Sequence, residues 1–152
     1  MSELWSGSAV TATRMNGIEW IVEAQGCAPA ALIDLSGLQG LFARIICDLK
    51  LRPVGETHWH QFPQTGGITG LCLLAESHLT IHTFPEFRSL CLNLFCCVPR
   101  EEWDFDGILQ DVVAAHSVTV RRVIRPYVPA SHSAQPASIE GAQEHPTGSH
   151  VG

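Results

Sequence analysis

Residues 66–86 read GGITGLCLLAESHLTIHTFPE, and two strand-like runs meet in this segment at Glu-Ser-His. The first run is continuously apolar, whereas the second carries polar residues at alternate positions. Because neighbouring side chains of a strand point to opposite faces, we expect His78, Thr80 and His82 to share one face. The segment therefore predicts a sheet face that carries a hydroxyl and two imidazoles near a later, thiol-rich strand.

Four further strands and two helices are predicted around this segment. The predicted strands cover residues 17–24, 55–62, 68–75, 78–83, 90–98 and 117–127. Apolar residues recur at steps of three and four over residues 29–50, which is the pattern of one helical face. A second helix is predicted over residues 101–116, with Glu101 at its positive N-terminal end. Consecutive short strands indicate an α/β (α+β) two-layer sandwich, in which helices cover one face of an antiparallel β-sheet.

The composition indicates one globular domain. The chain has 152 residues, of which 45% are hydrophobic, enough for one core and too few for two ordinary domains. We predict a single domain over residues 15–128. Residues 1–14 lack periodicity and are expected to be flexible. Residues 129–152 are rich in Pro, Ala, Ser, Gly, His and Gln, and are expected to form a disordered tail.

Charge and hydropathy exclude two classes of partner. Lys and Arg total 9 against 15 Asp and Glu, and the formal net charge of −6 disfavours binding to nucleic-acid phosphates. No apolar stretch approaches the roughly 20 residues that cross a bilayer, and the first residues lack the pattern of a signal peptide. We expect a cytoplasmic protein that binds neither nucleic acid nor membrane. In that compartment the six cysteines are expected to be reduced thiols rather than a disulfide framework.

The motif formed by Glu-Ser-His at residues 76–78 and Ile-His-Thr-Phe-Pro-Glu at residues 81–86 is long and unusual in composition. It resembles the processing site of the prokaryotic S-adenosylmethionine decarboxylases, which are pyruvoyl-dependent enzymes made as self-cleaving proenzymes. A weaker similarity in element order extends over residues 17–127. The resemblance implies decarboxylation of S-adenosylmethionine to the aminopropyl donor of spermidine synthesis. It also implies a homodimer of processed protomers with the active site near the dimer interface.

The resemblance assigns processing roles to four residues. The Ser77 hydroxyl is implied to attack the Glu76 carbonyl, and loss of the Ser77 α-proton then expels the Glu76 carboxylate. Ser77 thereby becomes the pyruvoyl cofactor at a new chain end. His82 is implied to transfer protons, a task that suits an imidazole near neutral pH. Thr69 matches a family serine that assists the same step and retains its hydroxyl.

The resemblance also assigns roles in catalysis to Ser77, to His82 and to one cysteine. Cys97 lies twenty positions after Ser77, where the family has the cysteine that reprotonates the product carbon. Phe62 matches an aromatic residue that stacks on adenine, and Glu86 matches a carboxylate that binds the substrate. A pyruvoyl group is implied as the cofactor, since decarboxylation needs an acceptor for the electrons left behind by carbon dioxide.

Three departures from the family pattern surround the expected substrate pocket. One residue is inserted between His60 and Thr69, Asn93 stands where an acid is common, and Phe84 replaces the usual tryptophan. The resemblance therefore leaves open a pyruvoyl-dependent L-arginine or L-ornithine decarboxylase on the same scaffold. A non-catalytic regulatory paralogue is a further alternative, although the intact Ser77, His82 and Cys97 argue against it.

The sequence offers two other kinds of site, a metal site and a nucleophile activated by histidine. Six side chains on the predicted strands are candidate metal ligands: His58, His60, His78, His82, Cys96 and Cys97. Because consecutive side chains of a strand diverge, adjacent cysteines rarely bind one tetrahedral zinc ion, and no metal is expected. A serine or cysteine nucleophile activated by histidine is also conceivable. The sequence contains no nucleophile elbow, which disfavours a hydrolase.

Overall fold

The structure, a computed structural model, describes residues 16–127. In chain order it contains β1 (Asn16–Gln25), α1 (Pro29–Leu32), α2 (Leu35–Asp48), β2 (His58–Gln61), β3 (Ile68–Leu74), β4 (Ser77–Phe84), a 3-10 turn (Pro85–Phe87), β5 (Ser89–Cys96), α3 (Phe105–Val113) and β6 (Ser117–Pro126). The expected flexible segment 1–14 and the expected disordered tail 129–152 lie outside the described residues, as do both ends of the predicted domain 15–128.

The six strands form one antiparallel sheet in the order β2-β3-β4-β5-β1-β6. β3, β4 and β5 follow one another as hairpins, and β1 is inserted between β5 and β6. Alternate residues of β1, including Ile18, Trp20 and Val22, are buried in the core between the sheet and the helices. This arrangement confirms the predicted two-layer sandwich with an antiparallel sheet.

The apolar stripe of α2 supplies much of the helical side of the core. Leu38, Leu41, Phe42 and Ile45 recur at helical spacing and are all buried. Each such side chain stabilises the fold by about 1.5–3 kcal/mol relative to an exposed position. The Phe42 ring lies 4.8 Å from that of Trp59, measured between centroids, and so packs α2 against the edge strand β2.

The prediction of one continuous helix over residues 29–50 is wrong, because the structure has two helices there. The helical region is divided into α1 and α2, and the chain between them includes Asp34, whose backbone is extended (φ −86°, ψ 93°). Asp34 occupies the N-cap position of α2, where aspartate is favoured, although its side chain accepts no capping hydrogen bond. A Cβ at Gly37 would lie 2.7 Å from the Asp34 carboxylate, so glycine allows the close approach.

The second helix also begins later than predicted, at Phe105 rather than at residue 101. Asp104 is its N-cap, since the carboxylate accepts a hydrogen bond of 2.9 Å from the backbone N–H of Gly107. Glu101 therefore lies outside the helix. The predicted strand 55–62 is also shorter, because Gly55 has a φ of +75° and regular pairing starts only with β2.

Among residues 16–127, no helix combines the length and the apolar character that crossing a membrane requires.

Candidate functional site

The Glu76–Ser77 peptide bond lies at the tight turn between β3 and β4. Leu74 at the end of β3 pairs with Ser77 at the start of β4. On its other side, Ser77 pairs with Cys96 at the end of β5. Ser77 has a φ of +156°, a backbone angle that residues with a side chain rarely adopt. The bond predicted to break is thus followed by a serine in a disfavoured backbone conformation.

Polar groups surround the atoms of this bond. The backbone N–H of Cys97 donates a hydrogen bond of 2.8 Å to the Glu76 carbonyl oxygen. Ser77 Oγ lies 3.2 Å from Nδ1 of His78, with donor and acceptor set by the imidazole tautomer. The Tyr127 hydroxyl donates to the Cys97 carbonyl at 2.9 Å, and both residues line a cavity of about 380 Å³. We call Glu76, Ser77 and Cys97, which the structure brings together, the junction half-site.

The Glu76 carboxylate is buried between two arginines. Arg52 donates its Nε to Oε1 at 2.9 Å and its backbone N–H to Oε2 at 3.2 Å. Arg100 donates its Nη2 to Oε1 at 3.1 Å. Burial raises the pKa of the Glu76 carboxyl, but the hydrogen bonds from Arg52, a hydrogen bond from the backbone of Glu76 itself and the charge of Arg52 together hold the pKa below its ordinary value. Sequence reasoning missed both arginines, because they lie 24 positions before and after Glu76 and no local pattern connects them.

A second group of predicted residues meets on β3, β4 and the turns beside them. Thr69 and His82 are paired across the two strands, and Thr69 Oγ1 lies 2.5 Å from His82 Nδ1. The Phe62 ring lies 5.6 Å from the imidazole of His82 between centroids. Phe62, His82 and Glu86 line one cavity of about 290 Å³. We call Phe62, Thr69, His82 and Glu86 the histidine half-site.

The two half-sites are far apart within one chain. Ser77 and His82 both belong to the continuous strand β4, five positions from each other. At roughly 3.3 Å per residue, this spacing corresponds to about 16 Å along the strand. A hydrogen bond joins heavy atoms about 3 Å apart, so His82 cannot act directly on Ser77 of its own chain. The predicted strand 78–83 already implied this separation, because Ser77 directly precedes the strand and His82 lies near its far end.

Charged side chains of β1, β5 and β6 interact between strands. Asn93 donates a hydrogen bond of 2.7 Å to Glu19 Oε1. Arg125 pairs with the same carboxylate, and Arg121 pairs with Glu23. The hydrogen bond from Asn93 is the main reason why the pKa of Glu19 lies below its ordinary value, and Arg125 adds to this effect against the opposing effect of burial. Asn93, one of the departures noted in the sequence, thus fixes an acidic side chain of the neighbouring strand.

The candidate metal ligands of the sequence do not assemble. Within residues 16–127, no three His, Cys, Asp or Glu side chains are grouped in a way that could hold a metal ion. Cys96 is completely buried, and burial raises the pKa of its thiol to about 11, so that the thiolate form is disfavoured. The neighbouring Cys97 is half-buried and borders the cavity beside Tyr127. The two thiols therefore have different surroundings.

Comparisons with known proteins agree on one family. The family model described as S-adenosylmethionine decarboxylase matches residues 18–126. An S-adenosylmethionine decarboxylase proenzyme of Clostridium tetani is 33% identical over 110 residues, or 69% of this chain and 82% of the relative. Another, from Methanococcus maripaludis, is 38% identical over 79 residues, or 51% of this chain and 62% of the relative.

A solved structure extends this similarity to the fold. The crystal structure of the adenosylmethionine decarboxylase from Aquifex aeolicus VF5 matches with a TM-score of 0.62 and 20% sequence identity. The match covers 80% of this chain and 99% of that chain, and so includes nearly the whole of the solved protein. The chain belongs to the S-adenosylmethionine decarboxylase family, a family of carboxy-lyases.

Proposed function

We propose that this chain is a self-processing, pyruvoyl-dependent decarboxylase that is cleaved between Glu76 and Ser77 and acts on S-adenosylmethionine. The observation that carries the proposal is the hydrogen bond of 2.8 Å from the Cys97 backbone N–H to the Glu76 carbonyl oxygen. When the Ser77 hydroxyl adds to this carbonyl, negative charge develops on the same oxygen, and a fixed N–H donor stabilises it. The relatives are named proenzymes, which supports maturation by cleavage.

The processing steps use only this chain and water. Ser77 Oγ forms a bond to the Glu76 carbonyl carbon and the C–N bond breaks, which leaves an ester and a free amine on Ser77. A base removes the Ser77 α-proton, and the Cβ–O bond breaks with its electron pair on the departing Glu76 carboxylate. Water then displaces the nitrogen of the resulting dehydroalanine as ammonia. The products are residues 1–76 and residues 77–152, the latter beginning with a pyruvoyl group.

The surroundings of Ser77 fit this change. The positive φ of Ser77 stores strain next to the bond that rearranges, and its hydroxyl lies beside an imidazole nitrogen. When formed, the pyruvoyl group supplies an electron acceptor for decarboxylation. We assign to Cys97 the return of a proton to the product carbon, because the residue is half-buried, borders a cavity and contacts the Glu76 carbonyl through its backbone N–H.

The cavity of the histidine half-site is proposed to hold the substrate. Phe62 offers an aromatic face for adenine, and Glu86 offers a carboxylate for the polar groups of the substrate. The aromatic face favours S-adenosylmethionine over arginine or ornithine, which carry no ring, and the names of the relatives favour it too. We therefore propose that the product is decarboxylated S-adenosylmethionine for spermidine synthesis, made in the cytoplasm.

A homodimer would join the two kinds of half-site. Within one protomer, the His82 of the histidine half-site lies about 16 Å along β4 from Ser77 of the junction half-site, too far for direct contact. Leu71 and Leu73 are 47% and 56% exposed on the strand that leads to the junction, and they offer apolar surface for a second copy. A two-fold axis would give each junction the His82 of the partner subunit and would create two equivalent sites.

Two measurements test the proposal. Intact-mass spectrometry of the purified chain should find two fragments that separate at Glu76, with a pyruvoyl group at residue 77. Release of carbon dioxide should then be compared for S-adenosylmethionine, arginine and ornithine under the same conditions. An uncleaved and inactive chain would instead support a regulatory paralogue, and faster release from arginine or ornithine would reassign the substrate.

A further inference from the structure

The Glu76 carboxylate, with one negative charge, is contacted by two positively charged side chains. Two guanidinium groups, those of Arg52 and Arg100, contact a single carboxylate whose side chain is 1% exposed. Asp48 and Glu101 line the cavity next to Arg100, but in the described part of the chain neither forms an ion pair with it. The contacts around Glu76 therefore leave one positive charge in excess. We call Arg52 and Arg100 the arginine pair.

The backbone also fixes the arginine pair against the junction. Arg52 accepts a hydrogen bond of 2.8 Å from the backbone N–H of Ala75, the residue before Glu76. Pro53 and Leu74 form a bridge that continues this pairing. Arg100 lies three positions after Cys97, whose N–H holds the Glu76 carbonyl. Both arginines are thus tied to the carbonyl side of the bond that breaks.

The excess charge matches a group that exists only after processing. Elimination from the ester releases Glu76 as a second carboxylate, the α-carboxylate of a new chain end. In a glutamate this group is separated from the side-chain carboxylate by only a few bonds, so it forms close to the same two cations. The Arg100 side chain is 24% exposed and that of Arg52 is 74% exposed, so the charge of Arg100 is less screened by water and lowers the free energy of a nearby carboxylate more. Two carboxylates and two guanidinium groups then balance.

We propose that Arg52 and Arg100 promote maturation by stabilising the negative charge of the departing Glu76 α-carboxylate in the elimination step. This inference rests on the proposed cleavage between Glu76 and Ser77. It differs from a purely structural role, because a structural clamp would affect folding or the first attack. Stabilisation of the leaving group affects only the conversion of the ester.

The test follows maturation of freshly synthesised precursor by mass spectrometry, with hydroxylamine added at intervals. Hydroxylamine cleaves the ester and leaves a hydroxamate on Glu76 and an unconverted Ser77. We expect Arg100→Gln to accumulate the ester, with elimination about 10- to 100-fold slower than in the wild type, and Arg52→Gln to slow elimination by a smaller factor because its side chain is 74% exposed. The corresponding lysine variants should recover most of the rate. Arg44→Gln, which removes a surface ion pair with Asp48, serves as the control and should mature normally.

Glu76→Gln gives an independent result of opposite sign. This substitution removes the side-chain carboxylate, so both guanidinium groups can interact with the departing α-carboxylate of residue 76. Elimination should therefore be at least as fast as in the wild type. Two results would overturn the inference but not the proposed cleavage. One is elimination that is slowed tenfold or more in Glu76→Gln. The other is a set of arginine variants that fold and either mature at the wild-type rate or stall without accumulating the ester. A wild-type chain that never cleaves would overturn both the inference and the proposed function.

Discussion

Co-expression of two inactive variants distinguishes a site shared between protomers from a site within one chain. Ser77→Ala removes the nucleophile and keeps His82, whereas His82→Ala removes the imidazole and keeps Ser77. Each variant alone should stay uncleaved. Because Ser77 and His82 of one chain lie about 16 Å apart along β4, only a second chain can supply the missing group.

The expected yield follows from random pairing. At equal expression, about half of all chains should be in mixed dimers. In each mixed dimer, one junction combines Ser77 with the His82 of the partner subunit, and the other junction has neither group. About half of the His82→Ala chains should therefore be cleaved, and none of the Ser77→Ala chains. Different affinity tags on the two variants allow intact-mass spectrometry to assign each fragment to its parent chain.

A double variant provides the matched control. Co-expression of His82→Ala with a chain that carries both Ser77→Ala and His82→Ala should give no cleavage, because no imidazole is then present at position 82. Cleavage of His82→Ala expressed alone would refute the shared site. The reasoning would also fail if sequential tag purification recovered mixed dimers in which every chain was intact.

Three further substitutions and one change of pH have expected outcomes. Cys97→Ala should mature at nearly the wild-type rate yet release little carbon dioxide, because the contact with the Glu76 carbonyl uses the backbone N–H and not the thiol. Thr69→Val removes the hydroxyl beside His82 and should slow maturation about tenfold in a time course, while serine should restore it. Phe42→Ala should lower the free energy of unfolding by about 3–5 kcal/mol in urea titrations, since the ring is buried. With its folded-state pKa depressed below 4.5, Glu76 stabilises the uncleaved chain above that pH, and acid titration should show this contribution disappearing as the pH falls through the folded pKa.

Each of these results has a control or a contrary outcome. Val54→Ala changes a side chain that is 50% exposed and should leave the free energy of unfolding nearly unchanged. Full turnover by Cys97→Ala would remove the thiol from the mechanism. Equal maturation of the valine and serine variants at position 69 would show that the hydroxyl is not used. The acid sensitivity should be smaller in Glu76→Gln, and an unchanged pH profile there would assign it to other carboxylates.

Local patterns predicted the strands around the junction well. Alternation placed His78, Thr80 and His82 on one side of β4, and all three are half-buried while Leu79 and Ile81 between them are buried. A two-residue period survives folding because each strand has one face in the core. The helix boundaries were predicted less well, since capping interactions such as that of Asp104 with the Gly107 N–H help to determine where helices begin.

The sequence by itself determined the family and the two-layer fold, because each depends on a contiguous motif or a short period, and it predicted Ser77 as the reacting serine. Only the tertiary structure decided which of these groups meet. It brought Arg52 and Arg100 to Glu76 from 24 positions on either side, and it placed the backbone N–H of Cys97 against the Glu76 carbonyl. Contacts of this kind depend on strand pairing and on the burial of a charge, neither of which leaves a pattern in neighbouring residues.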